Sequence, residues 1–198
     1  SSRPPFHRWF PDGELNTSYN CVDRHVEAGR GDQAAIIYDS AVTGVKETIT
    51  YADLLDQVEA FAGALAAEGV GRGDRVVIYM PMVPRAAVAM LACARLGAIH
   101  SVVFGGFAAP ELAIRIDDAR PTVIVTSHGG IEPTRKVPYF PMVAKALELT
   151  GHTPGTVIVA PRTDQFPDEE FPETPGTTWR YWDDAVAGTE PAAPVPVK

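Results

Sequence analysis

One stretch decides the fold: RVVIYMPMVPRAAVAMLACARLGAIHSVVFGGF, which spans Arg75–Phe107. It begins with Val76–Met80, a short run that is apolar on both faces and follows glycines, as is typical of a buried parallel strand. Pro84–Leu96 predicts a helix, because proline fits a first helical turn and a glycine follows the last apolar residue. His100–Phe104 predicts a second buried strand. Together these elements form one right-handed βαβ unit at the centre of an α/β sheet.

The rest of the chain supplies further elements of this architecture. Ala34–Tyr38 and Lys46–Ile49 predict an antiparallel hairpin, because their connection is too short for a crossover. Thr50–Glu68 has the clearest helical spacing of apolar residues, and Thr50 with Asp53 resembles a capping box. Later helices and strands are predicted at Pro110–Ala119, Thr122–Thr126, Pro138–Thr150 and Thr156–Val159. The predicted fold class is α/β, a largely parallel sheet with helices on both faces, plus an N-terminal β-hairpin.

The chain divides into three predicted parts. Residues 1–30 form an aromatic and helical segment, residues 31–160 the α/β subdomain, and residues 161–198 a proline-rich, acidic loop and linker. Prolines oppose regular structure in the last part, where we expect only a short helix over Trp182–Ala187. The chain begins SSRPPFHRWF, without an initiating Met, so we expect it to be a piece of a longer protein.

The composition limits the partners. The 198 residues are 45% hydrophobic, which is enough for one good-sized core. A net charge of -8 argues against nucleic acid or an anionic membrane surface as the main partner, but not against a small anion. There are two cysteines, and no apolar run approaches the roughly 20 residues of a membrane span. We therefore expect a cytoplasmic protein without a disulfide framework.

A first candidate ligand site follows the strand predicted at His100–Phe104. Ligands of open α/β sheets bind beyond the carboxyl ends of the strands. Gly105 and Gly106 lie at this end and would let a ligand approach the backbone, and the helix that follows offers free N–H groups to an anion. Paired glycines also make tight turns, so the residues alone leave both interpretations open.

A second candidate is the loop Ser127–Lys136, which follows the strand predicted at Thr122–Thr126. It carries a hydroxyl and two adjacent cations, in Thr134, Arg135 and Lys136. These groups suit a phosphate, to which arginine can bind through two hydrogen bonds. The alternative is a solvated pair of charges at the end of a helix.

The sequence indicates neither a metal site nor a nucleophilic serine nor a P-loop. The five histidines are scattered without metal-ligand spacing, and His100 is expected to be a hydrogen-bonded core residue because it opens a strand predicted to be buried. Neither a G-x-S-x-G turn nor a G-x-x-x-x-G-K-[ST] loop occurs. The residues therefore predict an α/β protein with a candidate phosphate-binding loop and without catalytic machinery.

Three stretches resemble a known family: RWFPDGELNTSYNCVDRHV, TYADL, and GVGRGDRVVIYMPMVPRAAVAMLACARLGAIHSVVFGGFAAPELAIRIDDARP. They are similar to the N-terminal part of acetyl-CoA and propionyl-CoA synthetases, in the adenylate-forming (acyl/aryl-CoA ligase) superfamily. The resemblance covers nearly the whole chain and implies part of the large N-terminal domain of such an enzyme. The implied parent converts propionate or acetate, ATP and CoA, with Mg²⁺, into acyl-CoA, AMP and diphosphate through an acyl-adenylate.

The resemblance also assigns a binding site. HGGIEPTRKVPYFPMVAKAL resembles the propionyl-CoA synthetase pattern GIEPxRxVxYxPxLxxAL, whereas acetyl-CoA synthetases usually have DGGxRGGK there, which favours propionate over acetate. In the family this loop contacts the nucleotide end of CoA, so the implied CoA-binding residues are Glu132, Pro133, Thr134 and Arg135. Glu132 replaces an arginine, whereas Arg135 keeps a basic residue. Gly105–Gly106 is implied to lie near the same edge of CoA.

Parts of the family's machinery have no counterpart in this sequence: the phosphate loop ending in Lys, the acidic residue for the ATP ribose, and the catalytic Lys of the C-terminal domain. The resemblance therefore implies no catalytic residue here, and we expect the chain alone to be inactive and to bind none of ATP, Mg²⁺ and CoA tightly. The alternatives are a stand-alone CoA- or nucleotide-binding module and a scaffold. We also expect self-association through an exposed apolar face.

Overall fold

The computed structural model describes residues 5–6, 11–132, 135–167 and 170–198. Within these ranges the strands are β1 (Ala34–Asp39), β2 (Lys46–Thr50), β3 (Arg75–Met80), β4 (Ile99–Phe104), β5 (Val123–Ser127), β6 (Gly129–Glu132), β7 (Arg135–Pro138), β8 (Thr156–Ala160) and β9 (Thr178–Tyr181). The α-helices are α1 (Thr17–Cys21), α2 (Asp23–His25), α3 (Tyr51–Ala67), α4 (Pro84–Arg95), α5 (Ala109–Ala119), α6 (Phe140–Leu149) and α7 (Trp182–Val186), with a π-helical turn over Val26–Arg30. None of the described helices is long and apolar enough to cross a bilayer.

A five-stranded parallel sheet in the order β4-β3-β5-β8-β9 forms the centre of the molecule. Strand β3 pairs with β4 on one side and with β5 on the other, so that Ile78 lies between Val102 and Val125. All the residues of β5 and β8 are buried. The predicted α/β fold class is confirmed.

Side chains of β3 alternate between two cores because successive residues of a strand point to opposite faces. Ile78 belongs to the core that α3, α4 and α7 cover, where the rings of Phe61 and Trp182 stack with centroids 3.4 Å apart. Tyr79 belongs to the core that α5 and α6 cover. The prediction of helices on both faces is therefore confirmed.

The predicted N-terminal hairpin and the helix that follows it are also confirmed. Strands β1 and β2 pair antiparallel, and α3 begins with the capping box predicted from Thr50 and Asp53. The Asp53 N–H donates to Thr50 Oγ1 at 3.2 Å, and the Thr50 N–H donates to Asp53 Oδ2 at 3.1 Å. These bonds satisfy two N–H groups that a helix start leaves without partners.

Strand β4 confirms the strand predicted at His100–Phe104 but contradicts its predicted burial. It is an edge strand of the sheet, and Ile99, Val102 and Phe104 are 57%, 53% and 68% exposed, whereas Val103 is buried. His100 is exposed too, so its predicted core position is wrong. An apolar run does not distinguish a central strand from an edge strand, because that depends on which strand pairs beside it.

Two regions predicted to be irregular contain strands. The loop predicted at Ser127–Lys136 is largely the antiparallel hairpin β6–β7, and Pro138 ends β7, so α6 begins at Phe140 and not at Pro138. Beyond Pro161, strand β9 adds to the main sheet beside β8, and the predicted helix at Trp182 forms as α7. Strand β9 was not predicted. The segment before it is rich in proline and acidic residues, and a run of four residues shows little periodicity.

A buried arginine ties both ends of the described chain to α4. The Arg95 guanidinium donates to both carboxylate oxygens of Asp23 at 2.9 Å, to Glu59, and to the Ala192 carbonyl at 2.6 Å. Asn16 Nδ2 adds bonds to the carbonyls of Arg95 at 3.0 Å and Val195 at 2.8 Å. The final segment, predicted to lead elsewhere as a linker, thus packs against the end of α4 at Arg95 and against α3, where the Ala192 N–H donates to the Glu59 carbonyl at 3.1 Å.

We predict that Asp23→Ala destabilises the fold by about 3–5 kcal/mol, because it leaves a buried guanidinium without a principal partner. Urea unfolding followed by circular dichroism measures this change. Asp39→Ala is the matched control, since its ion pair with Lys46 is exposed and its removal should cost at most about 1 kcal/mol. Equal effects of the two substitutions would contradict the structural role of Arg95.

Candidate functional site

The parallel strands β4 and β5 have their carboxyl ends at the same end of the sheet. Each is followed by one of the two segments that the sequence indicated as candidate ligand sites. After β4 the chain turns at Phe104–Phe107, where the Phe107 N–H donates to the Phe104 carbonyl at 3.0 Å. After β5 it enters the hairpin β6–β7. We call these segments the glycine turn and the hairpin.

The hairpin places Glu132 and Arg135 opposite each other as strand partners at its tip. Both are at the surface of the molecule, and Pro133 and Thr134, which join them, lie outside the described residues. Glycine is required at Gly129, where a Cβ would approach the Val137 carbonyl oxygen to 2.4 Å and a Phe166 ring carbon to 2.5 Å. Close packing at the base of the hairpin therefore explains why it begins with glycine.

The glycine turn and the hairpin tip meet at Gly106 and Glu132. A Cβ on Gly106 would lie 3.2 Å from Glu132 Oε1 and 2.7 Å from a ring carbon of Phe104. The structure therefore brings together two of the regions that the sequence indicated separately. A glycine backbone, a carboxylate and an exposed aromatic ring share one surface.

The two adjacent cations of the hairpin have different surroundings. Lys136 Nζ donates to the Gln165 carbonyl and lies 5.6 Å from the centroid of the Phe166 ring, so it holds the segment after β8 against the hairpin. Arg135, one residue earlier in the same strand, points to the opposite face and is exposed. Among the described contacts, Lys136 is therefore engaged in holding this segment, whereas Arg135 lies exposed at the hairpin tip.

Two buried tyrosines, Tyr79 and Tyr139, pack against the glycine turn from the core. Tyr79 donates its hydroxyl hydrogen to the Phe107 carbonyl at 2.7 Å, and its ring centroid lies 4.7 Å from that of Tyr139. Burial, followed by the charge of Glu132, raises the pKa of Tyr139 to about 12, and burial is also the main cause that raises the pKa of Tyr79. Both hydroxyls are therefore neutral near pH 7.

His128 and Arg162 form a clamp that the sequence did not indicate. His128 is buried directly after β5, and its Nδ1 accepts from the Arg162 N–H at 3.0 Å. The Arg162 side chain donates to the Gly129 carbonyl at 2.8 Å. Burial, and then the charge of Arg162, lowers the pKa of His128. A histidine directly after a buried strand was the available signal.

A separate open cleft of about 430 Å³ lies between the β1–β2 hairpin, the start of α4 and the segment after β8. Ser127 and two arginines, Arg85 and Arg162, line it together with Glu47 and Asp164. Arg85 pairs with Asp183 at 3.0 Å, so both arginines already have partners. Across the described residues, no group of three potential metal ligands occurs. The Gly106–Glu132 surface is therefore the stronger candidate for a ligand.

Comparison with known proteins defines the class of this chain. The profile of the family "AMP-binding enzyme" matches residues 22–196, and that of "Acetyl-coenzyme A synthetase N-terminus" matches residues 1–21. The chain belongs to the AMP-binding enzyme family. Its sequence corresponds to the N-terminal portion of acetyl-CoA and other short-chain acyl-CoA synthetases, as the resemblance predicted.

Several curated relatives are similar over most of this chain. The mitochondrial acyl-CoA synthetase short-chain family member 3 of Homo sapiens is 50% identical over 193 residues, 98% of this chain and 28% of the relative. An acetyl-coenzyme A synthetase of Streptomyces coelicolor is 52% identical over 164 residues, 83% of this chain and 25% of the relative. An uncharacterized protein of Pseudomonas aeruginosa is 56% identical over 191 residues, 96% of this chain and 30% of the relative.

A solved structure supports the fold assignment. The acetoacetyl-CoA synthetase from Streptomyces lividans superposes with a TM-score of 0.82 at 28% sequence identity, covering 100% of this chain and 29% of that protein. The chain therefore spans less than a third of the length of these relatives.

We predict that the His128 clamp makes stability depend on pH. Because folding lowers the pKa of His128 below its ordinary 6.5, the unfolded chain binds the proton first as pH falls. The contribution of the clamp is complete above about pH 6.5 and decreases on further acidification, by at most about 1.4 kcal/mol per pH unit. Urea midpoints measured from pH 7.5 to pH 5 test this prediction.

His128→Asn is the matched variant, since its amide oxygen can accept the Arg162 N–H without titrating. Its stability should fall less than that of the natural chain over the same pH range. The other histidines are common to both proteins and cancel in the difference. Identical slopes would contradict a role of His128.

Proposed function

We propose that this chain is the N-terminal part of an AMP-forming short-chain acyl-CoA ligase, and that its own task is to hold the nucleotide end of CoA. The parent reaction would activate a short-chain carboxylate with ATP, in the presence of Mg²⁺, and pass the acyl group to CoA. The family, the AMP-binding enzymes, supports this reaction class. We expect the chain alone neither to catalyse it nor to bind ATP tightly.

The observation that carries the proposal is the meeting of Gly106 with the tip of the hairpin. A glycine backbone allows a nucleotide to approach closely, and the Arg135 guanidinium can bind a phosphate through two hydrogen bonds. Glu132 can accept a hydrogen bond from an amino group. We assign the CoA contacts to Glu132, Pro133, Thr134 and Arg135, as the resemblance implies.

We further propose propionate as the acyl substrate, in preference to acetate. The support is the stretch GIEPTRK at 130–136, which resembles the propionyl-CoA synthetase pattern. Relatives named for acetyl-CoA and for the short-chain family have similar identities to this chain, so overall similarity does not decide between the substrates. A cytoplasmic location stays a prediction, and the short-chain relatives include proteins named as mitochondrial.

The alternative function is a stand-alone CoA-binding module without catalysis. Sequencing the coding DNA beyond Lys198 distinguishes the ligase from the stand-alone binding module. An open frame that continues into a Ser/Thr/Gly-rich loop followed by lysine supports the ligase, whereas a stop codon there favours the binding module.

We predict weak, roughly millimolar binding of CoA to this chain, detected by titration calorimetry at high CoA concentration. Arg135→Ala should weaken binding about tenfold or more, because a charge-assisted contact with phosphate is lost. Arg24→Ala is the control, since this exposed arginine lies on α2, away from the hairpin, and its removal should leave the heat unchanged. Absence of heat in all three proteins would favour a scaffold without a CoA site.

We also propose that the chain self-associates through the outer edge of β4. Among the described residues, no strand pairs with this edge, and Ile99, Val102 and Phe104 are exposed on it. It contains neither lysine nor proline, the residues that commonly block edge pairing. Antiparallel pairing of two such edges would join two sheets into one.

Sedimentation velocity over a range of protein concentrations tests this association. Val102→Lys should shift the chain toward the monomer, because a charge on an edge strand disfavours pairing. Ile37→Lys is the matched control, since Ile37 is 78% exposed on β1 and lies outside the main sheet. A monomer at every concentration would contradict the proposal, as would equal effects of the two substitutions.

A further inference from the structure

Tyr139 lies between the two segments of the proposed CoA site. It directly follows strand β7, and its N–H donates to the His128 carbonyl at 2.8 Å, which folds the residue back under the start of the hairpin. The side chain is only 2% exposed. Its ring contacts Tyr79, whose hydroxyl holds the far end of the glycine turn at Phe107.

A single atom of Tyr139 approaches both segments. A Cβ on Gly105, in the glycine turn, would lie 2.2 Å from the Tyr139 hydroxyl oxygen, and a Cβ on Gly130, in the hairpin, would lie 2.6 Å from the same atom. Side chains at either position would need the space that the hydroxyl occupies. Both glycines are therefore explained by one contact, and neither has the positive φ that would require glycine for another reason.

This contact fixes the opening at the proposed site. Gly105 precedes Gly106, and Gly130 lies two residues before Glu132 on the same strand. The distance that the hydroxyl maintains between Gly105 and Gly130 therefore sets the distance between Gly106 and the Glu132 carboxylate. A small displacement at Tyr139 changes the shape of the surface that would receive the nucleotide.

We propose that Tyr139 is a positioning residue for this site: its hydroxyl acts as a spacer between the glycine turn and the hairpin and so determines how the nucleotide end of CoA fits. Only the identity of the ligand rests on the proposed function. The spacer itself is a property of the packing, so the two claims can fail separately.

The test is a double-mutant cycle of Gly130→Ala and Tyr139→Phe in the 198-residue chain. In Gly130→Ala the new methyl group meets the hydroxyl, and the two segments must separate. Adding Tyr139→Phe removes that oxygen and leaves the ring atom Cζ as the nearest neighbour at 3.3 Å, which the ring can accommodate. Gly155→Ala is the control, because its Cβ would find only the Thr122 carbonyl, at 3.8 Å.

Two measurements are made on each variant of the cycle. Amide signals of Gly105 and Gly106 in ¹H–¹⁵N NMR spectra report on the glycine turn, which is remote in sequence from the substituted residue. Calorimetry reports CoA binding. We expect Gly130→Ala to shift the signals of the turn and to weaken CoA binding about tenfold. The double variant should recover both, because the added methyl group then occupies the space of the lost hydroxyl, and Gly155→Ala should change neither. Urea midpoints identify any variant that fails to fold.

The outcomes separate the two claims. Shifted and recovered turn signals without CoA binding by the natural chain would support the spacer and refute CoA as its ligand. Unmoved turn signals in Gly130→Ala, or no recovery in the double variant, would overturn the spacer. Should Gly130→Ala not fold, Tyr139→Phe alone decides, because loss of the spacer must shift the signals of both Gly105 and Gly130.

Discussion

The burial of strand β3 on every side is the constraint on which the rest of the structure depends. Its backbone pairs with β4 and β5, and its side chains enter two separate cores. Such a strand is stable only when helices cover both faces, and its parallel neighbours require crossover connections. Both requirements place the carboxyl ends of β4 and β5 at one edge. The candidate site exists because these ends lie on either side of the end of β3.

At this edge, close packing and hydrogen bonds fix the backbone, and few charged groups remain for a ligand. Lys136 and Arg162 are held by carbonyl oxygens, and His128 stays neutral as an acceptor. Glu132 and Arg135 are left at the surface of the hairpin tip. The supporting residues thus determine the geometry, whereas the tip carries the charges.

The success of the sequence predictions depended on the range of the interactions involved. The capping box at Thr50 and the long helix α3 were predictable because local hydrogen bonds and helical periodicity define them. The hairpin β6–β7 was not, because its glycines pack against Val137, Phe166 and Tyr139, contacts that depend on the fold. The exposed position of β4 was also unpredictable, since strand order is not written in an apolar run.

The sequence by itself determined the α/β class, the N-terminal hairpin, the family and the two segments of the candidate site. Periodicity, glycine positions and short motifs carry this information, because each depends on neighbouring residues. Only the tertiary structure decided that Gly106 meets Glu132, that Lys136 donates to the Gln165 carbonyl, and that the Tyr139 hydroxyl lies close to both Gly105 and Gly130. These facts depend on crossovers that bring together residues distant along the chain, and local patterns do not specify such distances.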